Sequence, residues 1–308
     1  MDFPVDHLET FAAIVDAGSF EGAAKQLHIT PSAISQRVRA MEQRVGTVLV
    51  ARTRPVTVTS AGAVVLRAAR QVQRIAADVA IELGTHGSGD DASLIPIVVN
   101  ADSLATWFIP ALARAARETG ATFEVLRADE TISTERLRSG AAMAALTAES
   151  KAVPGCTSTR IGVDRYHAVA SPGFMAAHFA GGVDADTLAA APMLEFDRHD
   201  AFQQRFIKRV TRAKISPARH YIPSSAEFAL AIALGMGWGM LPEMQCSAGL
   251  ADGSLVALGD RPLLMPLYWQ RWNLSSPVLD GLSRIIAEEA AVALPGKDRA
   301  AMVGSVVT

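Results

Sequence analysis

The sequence predicts an α+β multidomain protein, and three observations carry that reading. Up to about residue 84 the apolar residues recur at helical spacing, interrupted by one short β-rich run. The last helix of that part is long, bears a heptad seam and ends in the Gly/Ser/Asp stretch 84–91. From residue 92 onward, strand-like apolar runs alternate with helix-like segments, as in an α/β arrangement. A chain of 308 residues has room for roughly two domains.

The N-terminal helices follow from their ends. Leu8, Phe11, Ala12 and Val15 predict a helix over 6–17, stopped by Gly18. Ser19 can cap a short second helix carrying Ala23, Ala24 and Leu27 on one side. His28 and Ile29 form the turn. Thr30 then stands at a cap and Pro31 at the first helical position, where its missing N–H costs nothing. Ile34, Val38, Met41 and Val45 run i, i+4, i+7, i+11, and Gly46 ends this third helix.

The third helix matters most. Its apolar stripe leaves Ser32, Gln36, Arg39 and Gln43 on the opposite face, with Ala33 and Ala40 beside them and Ser35 and Arg37 flanking the stripe. Small side chains let a helix sit deep in a major groove, and Gln and Arg offer forked donors to base edges. Two short helices, a three-residue turn and such a face make a helix-turn-helix. Charge agrees: Lys25–Arg74 holds nine basic residues against Glu42 alone, a local +8 in a chain of net charge −2. That balance excludes a uniformly basic coat and favours one anion-binding module beside an unrelated one.

The run Thr47–Thr59 is β-rich, with Val56 and Val58 alternating with Thr57 and Thr59, which predicts a two-strand wing. Arg52 and Arg54 fall near its tip, suited to holding phosphates. Thr59 or Ser60 caps the long helix to about Leu83. Val65, Ala69, Val72, Ala76, Val79 and Leu83 step by 4, 3, 4, 3, 4, a seam that could pair two copies of the chain. Arg67, Arg70 and Arg74 lie on the far side and are expected in solvent.

Beyond the hinge, strands are predicted at 94–100, 122–127, 141–147, 167–171, 192–196, 220–223, 238–241 and 267–272. Helices are predicted at 103–118, 132–139, 199–212, 224–236 and 277–294, with mostly parallel strand pairing. Half the residues are apolar and 19% charged, which argues against global disorder. Cys156 and Cys246 lie far apart, with no second Cys or His at ligand spacing, so neither a disulfide framework nor a zinc ribbon is expected. The N-terminus lacks a basic start and an apolar run. The longest uncharged stretch, Phe228–Pro242, is 15 residues and broken by three glycines. A cytoplasmic protein without a membrane segment is expected. No phosphate loop, HExxH or GxSxG motif occurs, and no enzyme activity or cofactor is expected.

Residues 8–62 carry a resemblance. LETFAAIVDAGSFEGAAKQLHITPSAISQRVRAMEQRVGTVLVARTRPVTVTSAG resembles the N-terminal pattern of the LysR-type transcriptional regulators over its full extent. The Ala-Ala pair, the Thr-Pro-Ser-Ala-Ile-Ser restart and the wing ending in Val-Thr-x-Ala-Gly carry it. The Phe usual after Gly46 is replaced by Val48 or Val50. Three further stretches, 98–112, 223–245 and 267–277, resemble the arginine/lysine-responsive branch of that family. The resemblance implies an N-terminal winged helix-turn-helix, a long linker helix and a C-terminal two-lobe α/β periplasmic-binding-protein-like effector domain. The expected division is a DNA-binding domain at 1–60, a dimerising linker and hinge at 61–91, and an effector domain at 92–308. Its lobes would be about 92–161 with 268–308, and about 162–267. A promoter inverted repeat, a homodimer or dimer of dimers, RNA polymerase and the effector lysine or arginine are the implied partners, and an amino acid exporter gene is the implied target.

On this reading Thr30, Pro31, Ser32, Ala33, Ser35, Gln36, Arg37, Arg39, Arg52 and Arg54 are the candidate DNA-binding residues. Ligands of such sheets sit beyond the strand ends, facing helix N-termini. Asn100, Asp102 and Ser103 form one such corner, and Ser224 and Ser225 a second. A basic amino acid needs an anion hole and carboxylates for its α-ammonium and its side chain. Asp102, Glu149, Asp197 and Asp200 are the candidate carboxylates, and Thr147 completes the set. Two alternatives stay open: an architectural binder of A·T-rich DNA that inhibits replication initiation, and a small-molecule-binding module without DNA binding.

Overall fold

The computed structural model describes residues 3–51, 53–84, 94–127 and 130–294. The chain divides into two units. The first comprises Met1–Val99, Leu112–Thr159 and Trp269–Ile285, and the second Asn100–Ala111, Arg160–Tyr268 and Ile286–Thr308.

The first unit begins with helices whose ends are the capping residues themselves. α1 (Val5–Ala17) stops at Gly18, which takes a left-handed φ of 63°. Ser19 accepts from the Gly22 amide at 3.0 Å and starts α2 (Phe20–Gln26). Thr30 accepts from the Ala33 amide at 3.1 Å and starts α3 (Pro31–Val45). β1 (Val50–Ala51) pairs antiparallel with β2 (Thr57–Val58), Val50 opposite Val58. Glu42, the one acid of the basic segment, accepts from the Leu49 amide at 2.9 Å and so fixes where the wing begins. α4 (Ser60–Glu82) starts at Thr59, whose hydroxyl accepts from the Gly62 amide. Gly62 is obligatory for packing: a Cβ there would lie 1.9 Å from the Leu49 carbonyl oxygen. Phe11, Ile14, Ile34, Met41 and Leu49 form the core with Leu66 and Ala69 of α4.

The seam on α4 therefore splits. Val65, Ala69 and Val72 pack on the helix's own domain, whereas Val79 and Leu83 are 49% and 70% exposed. The arginines expected in solvent behave otherwise. Arg74 is 2% exposed and pairs with Asp78. Arg70 pairs with Asp16 at 2.6 Å and donates to the Gly140 carbonyl. Arg67 donates to the Pro154 carbonyl at 2.7 Å. The correction has a physical reason: carbonyls at 140 and 154 need donors, and a guanidinium supplies several at once.

After β3 (Leu94–Val99) come α5 (Ala101–Ser103), a π-helical turn at Leu104–Phe108 and α6 (Ile109–Thr119). β4 (Thr122–Arg127), α7 (Glu130–Arg138) and β5 (Ala144–Thr147) follow. β3 pairs parallel with β4 on one side and with β5 on the other. β6 (Cys156–Ala170) is much longer than the strand foreseen at 167–171.

The second unit continues through α8 (Pro172–His178), α9 (Ala185–Ala190), β7 (Met193–Glu195), α10 (Phe202–Val210) and β8 (Arg219–Tyr221). Then come α11 (Ser225–Ala233), β9 (Gly239–Pro242), α12 (Glu243–Asp252) and β10 (Val256–Ala257), followed by β11 (Leu263–Trp272) and α13 (Pro277–Ala293), whose residues from Trp269 to Ile285 belong to the first unit. β6 pairs antiparallel with both β9 and β10, against the mostly parallel expectation, while β7 and β8 are parallel. Val169, Leu194, Phe228, Ile232, Leu241 and Cys246 form its core. Cys156 and Cys246 are free thiols, pushed up to about 11 and about 12 by burial. Among the described residues no helix is long and apolar enough to cross a membrane, and no group of His, Cys, Asp and Glu could hold a metal.

Candidate functional site

Two places carry chemistry. The first is the outer face of α3. Ile34, Val38 and Met41 are buried beneath it, which turns Ser32, Gln36, Arg39 and Gln43 outward into solvent. Thr30 and Pro31 lie exposed at its N-terminus, where the dipole and free amides favour a phosphate. Ala33 and Ser35 are half-buried at its sides. Arg37 turns away from this face: it pairs with Asp6 at 2.9 Å and donates to the Thr10 hydroxyl at 2.8 Å, so it ties α3 to α1. Arg54 is exposed on the wing, and Thr53 beside it donates to the Pro55 carbonyl. Arg52 lies outside the described residues.

The second place is a group of acids in the second unit. Asp102 sits at the start of α5. Its Oδ1 accepts from the Ser225 hydroxyl at 2.6 Å and its Oδ2 from the Tyr166 hydroxyl at 2.7 Å. Ser225 opens α11 and also accepts from Gln245 Nε2 at 2.8 Å. Tyr166 is 2% exposed on β6, stacked on Phe202. Asp164, two residues earlier on the same strand, is 5% exposed. Burial, then the charge of Asp102, pushes its carboxyl up to about 7. Asp200 is likewise raised by burial, with Asp102 adding to it. Among the described residues no Lys or Arg pairs with Asp102, Asp164 or Asp200. This group is anionic and short of a cation.

The other sequence-predicted residues have more local duties. Asn100 accepts from the Ser103 amide at 2.7 Å, so that amide is taken rather than free for an anion. The Ser103 hydroxyl is fully buried without a hydrogen-bond partner in the protein. Asp197 accepts from the amides of His199 and Asp200, and Asp200 from those of Phe196 and Phe202. Both acids shape the loop between β7 and α10. Ser224 donates to the Glu227 carboxylate. Thr147 and Glu149 belong to the first unit: Thr147 is buried and accepts from the Glu149 amide, and Glu149 is exposed. Asp164, Tyr166 and Gln245 were missed by sequence reasoning. Asp164 and Tyr166 at i and i+2 lie on one face of a strand, and that spacing was the available signal.

A capped helix-turn-helix with an outward polar face, a β wing and an α/β region holding a partly buried acid group defines the class of winged helix-turn-helix proteins with an attached ligand-binding region. The chain belongs to the LysR family: residues 5–63 match the bacterial regulatory helix-turn-helix protein, lysR family, and residues 89–290 match the LysR substrate binding domain. It is 39% identical over 292 residues to the HTH-type transcriptional regulator LysG of Mycobacterium tuberculosis, covering 95% of each chain. The crystal structure of ArgP from Mycobacterium tuberculosis is similar with a TM-score of 0.86 at 38% identity, over 94% of this chain and 98% of that one. Full-length LysG from Corynebacterium glutamicum with bound effector Arg is similar with a TM-score of 0.82 at 37% identity, over 94% and 99%.

Proposed function

We propose that this protein is a transcription regulator that binds a promoter inverted repeat and responds to a basic amino acid, arginine or lysine. The observation that carries the second half is the cation-short group of Asp102, Asp164 and Asp200. A guanidinium or ammonium arriving there relieves repulsion among these carboxylates, of which Asp164 is buried and Asp102 and Asp200 half-buried. The similar LysG structure holds arginine as its effector, which supports the same ligand class here. An amino acid exporter gene is the proposed target. The proposed division is 1–60 for DNA, 61–91 for linker and hinge, and 92–308 for the effector.

DNA recognition follows from the α3 face. Gln36 and Arg39 meet base edges, while Thr30, Pro31, Ser32 and Ala33 approach the duplex closely. Arg54 and Arg52 hold phosphates and set register. The exposed apolar residues Ile75 and Val79 on α4, with Leu83 at its C-terminal cap, suit pairing with a second copy, as a dimer or dimer of dimers. A ligand changes DNA binding only by favouring one arrangement of the assembly over another.

Footprinting tests the proposal on DNA fragments enriched for binding from a random library. A defined inverted repeat whose protection shifts with arginine or lysine, and not with glutamate, is expected. Broad A·T protection indifferent to amino acids would instead indicate an architectural binder. Failure to retain any DNA would overturn the reading in favour of a small-molecule-binding module.

A further inference from the structure

We propose that the second unit carries a second small-molecule site, for an α-amino acid with an uncharged aliphatic side chain, in a cavity of about 420 Å³ beside the Asp102 group. None of the nine candidate effector residues lines this cavity. It is built from the π-helical turn, the middle of β6, the start of α12 and the end of α13.

Its lining matches the three parts of such a ligand. Asp164, Glu243 and Glu289 offer carboxylates to an α-ammonium, against the single guanidinium of Arg165. Asp164 is 5% exposed, and among the described residues no Lys or Arg pairs with it. Arg165 offers donors to an α-carboxylate, and the buried ring of Trp107 forms part of the wall. Val163, Met244, Val292 and Leu294 supply apolar surface for the side chain. Met244 and Val292 are 45% and 80% exposed at the rim, large apolar side chains that a ligand would cover. The volume falls within the range of small-molecule pockets, at about 300–1,000 Å³. Walls of both charge signs select a zwitterion over a plain amine or a plain acid.

Asp164 lines the cavity and also feels Asp102, so the two sites adjoin at one side chain while taking different ligands. Calorimetric titration of L-leucine into the full chain, with and without saturating L-arginine, tests the proposal. Leucine is expected to bind in both conditions, and 3-methylbutylamine and 4-methylpentanoate, each lacking one charged group, at least tenfold more weakly. Ala293→Trp fills the cavity and should abolish leucine binding while arginine binding persists. Should that variant not fold, Ser247→Trp at the rim makes the same test. The proposal is overturned if leucine gives no heat at millimolar concentration, if arginine displaces it one for one, or if the folded filled-cavity variant still binds it.

Discussion

Asp164→Asn should stabilise the protein, and the gain should depend on pH in a defined way. Asp164 is 5% exposed and its carboxyl titrates at about 7 rather than near 3.8. Below about pH 4 the carboxyl is protonated in both folded and unfolded chains, and its burial carries no pH-dependent cost. Between about 4 and 7 the unfolded chain loses the proton while the folded one keeps it, so stability falls as pH rises. Above about 7 the loss is complete. Its ceiling is about 4 kcal/mol, from about 1.4 kcal/mol per pH unit between the two titrations. Relaxation around the charge should leave about 2 kcal/mol. Asn keeps the oxygen that accepts from the Arg165 amide at 2.8 Å, so the strand geometry survives. For a unit of this size that is about 4–8 °C in Tm. Thermal melts at pH 8 and pH 5 read it out: the gain at pH 5 should be less than half that at pH 8. An equal gain at both pH values, or a loss at pH 8, would show that Asp164 carries no buried charge.

Other expectations follow from the α3 face, the wing and α4. Arg39→Ala should relax base preference by about 1–3 kcal/mol at one position, measured by competition among operator variants. Arg54→Ala should weaken all sequences alike and reduce the salt slope of binding by about 1, read from anisotropy titrations across salt. Gly62→Ala drives a methyl into the Leu49 carbonyl and should cost about 1–3 kcal/mol in urea unfolding of the N-terminal core; an unchanged midpoint would contradict the packing. Val79→Glu, at a 49% exposed position, should leave folding intact and weaken self-association in sedimentation runs, whereas an unchanged oligomer would move the pairing surface elsewhere.

Helix ends were legible wherever a residue has one physical reason to be there. Ser19, Thr30, Thr59 and the left-handed Gly18 and Gly46 each mark a boundary that the structure reproduces. The outward set Ser32, Gln36, Arg39 and Gln43 followed from period alone, because an apolar stripe dictates what lies opposite. Periodicity said nothing of partners remote in sequence. Arg67, Arg70 and Arg74 looked like solvent residues because Arg67 and Arg70 find carbonyls and an acid on other segments, and Arg74 is buried against Asp78 of its own helix. α8 and α9 went unseen because helices of seven and six residues show too little period, although Ser171-Pro172 and the Asp184/Thr187 capping box were start signals, and α12 because its sequence EMQCSAGLAD has no clear apolar stripe. Asp102 was legible as a corner residue. Asp164 and Tyr166 were hidden because the start of β6 mixes polar and apolar residues without clean alternation, so which of its side chains turn inward was not legible.

Calorimetric titration of L-arginine and L-lysine into the full chain at pH 6 and pH 8 bears most directly on the acid group as a basic-amino-acid site. A cation bound there favours ionised Asp164, so binding releases a proton and affinity should be up to about tenfold higher at pH 8 than at pH 6. Heat from a neutral or acidic amino acid but none from arginine or lysine at either pH would contradict the account.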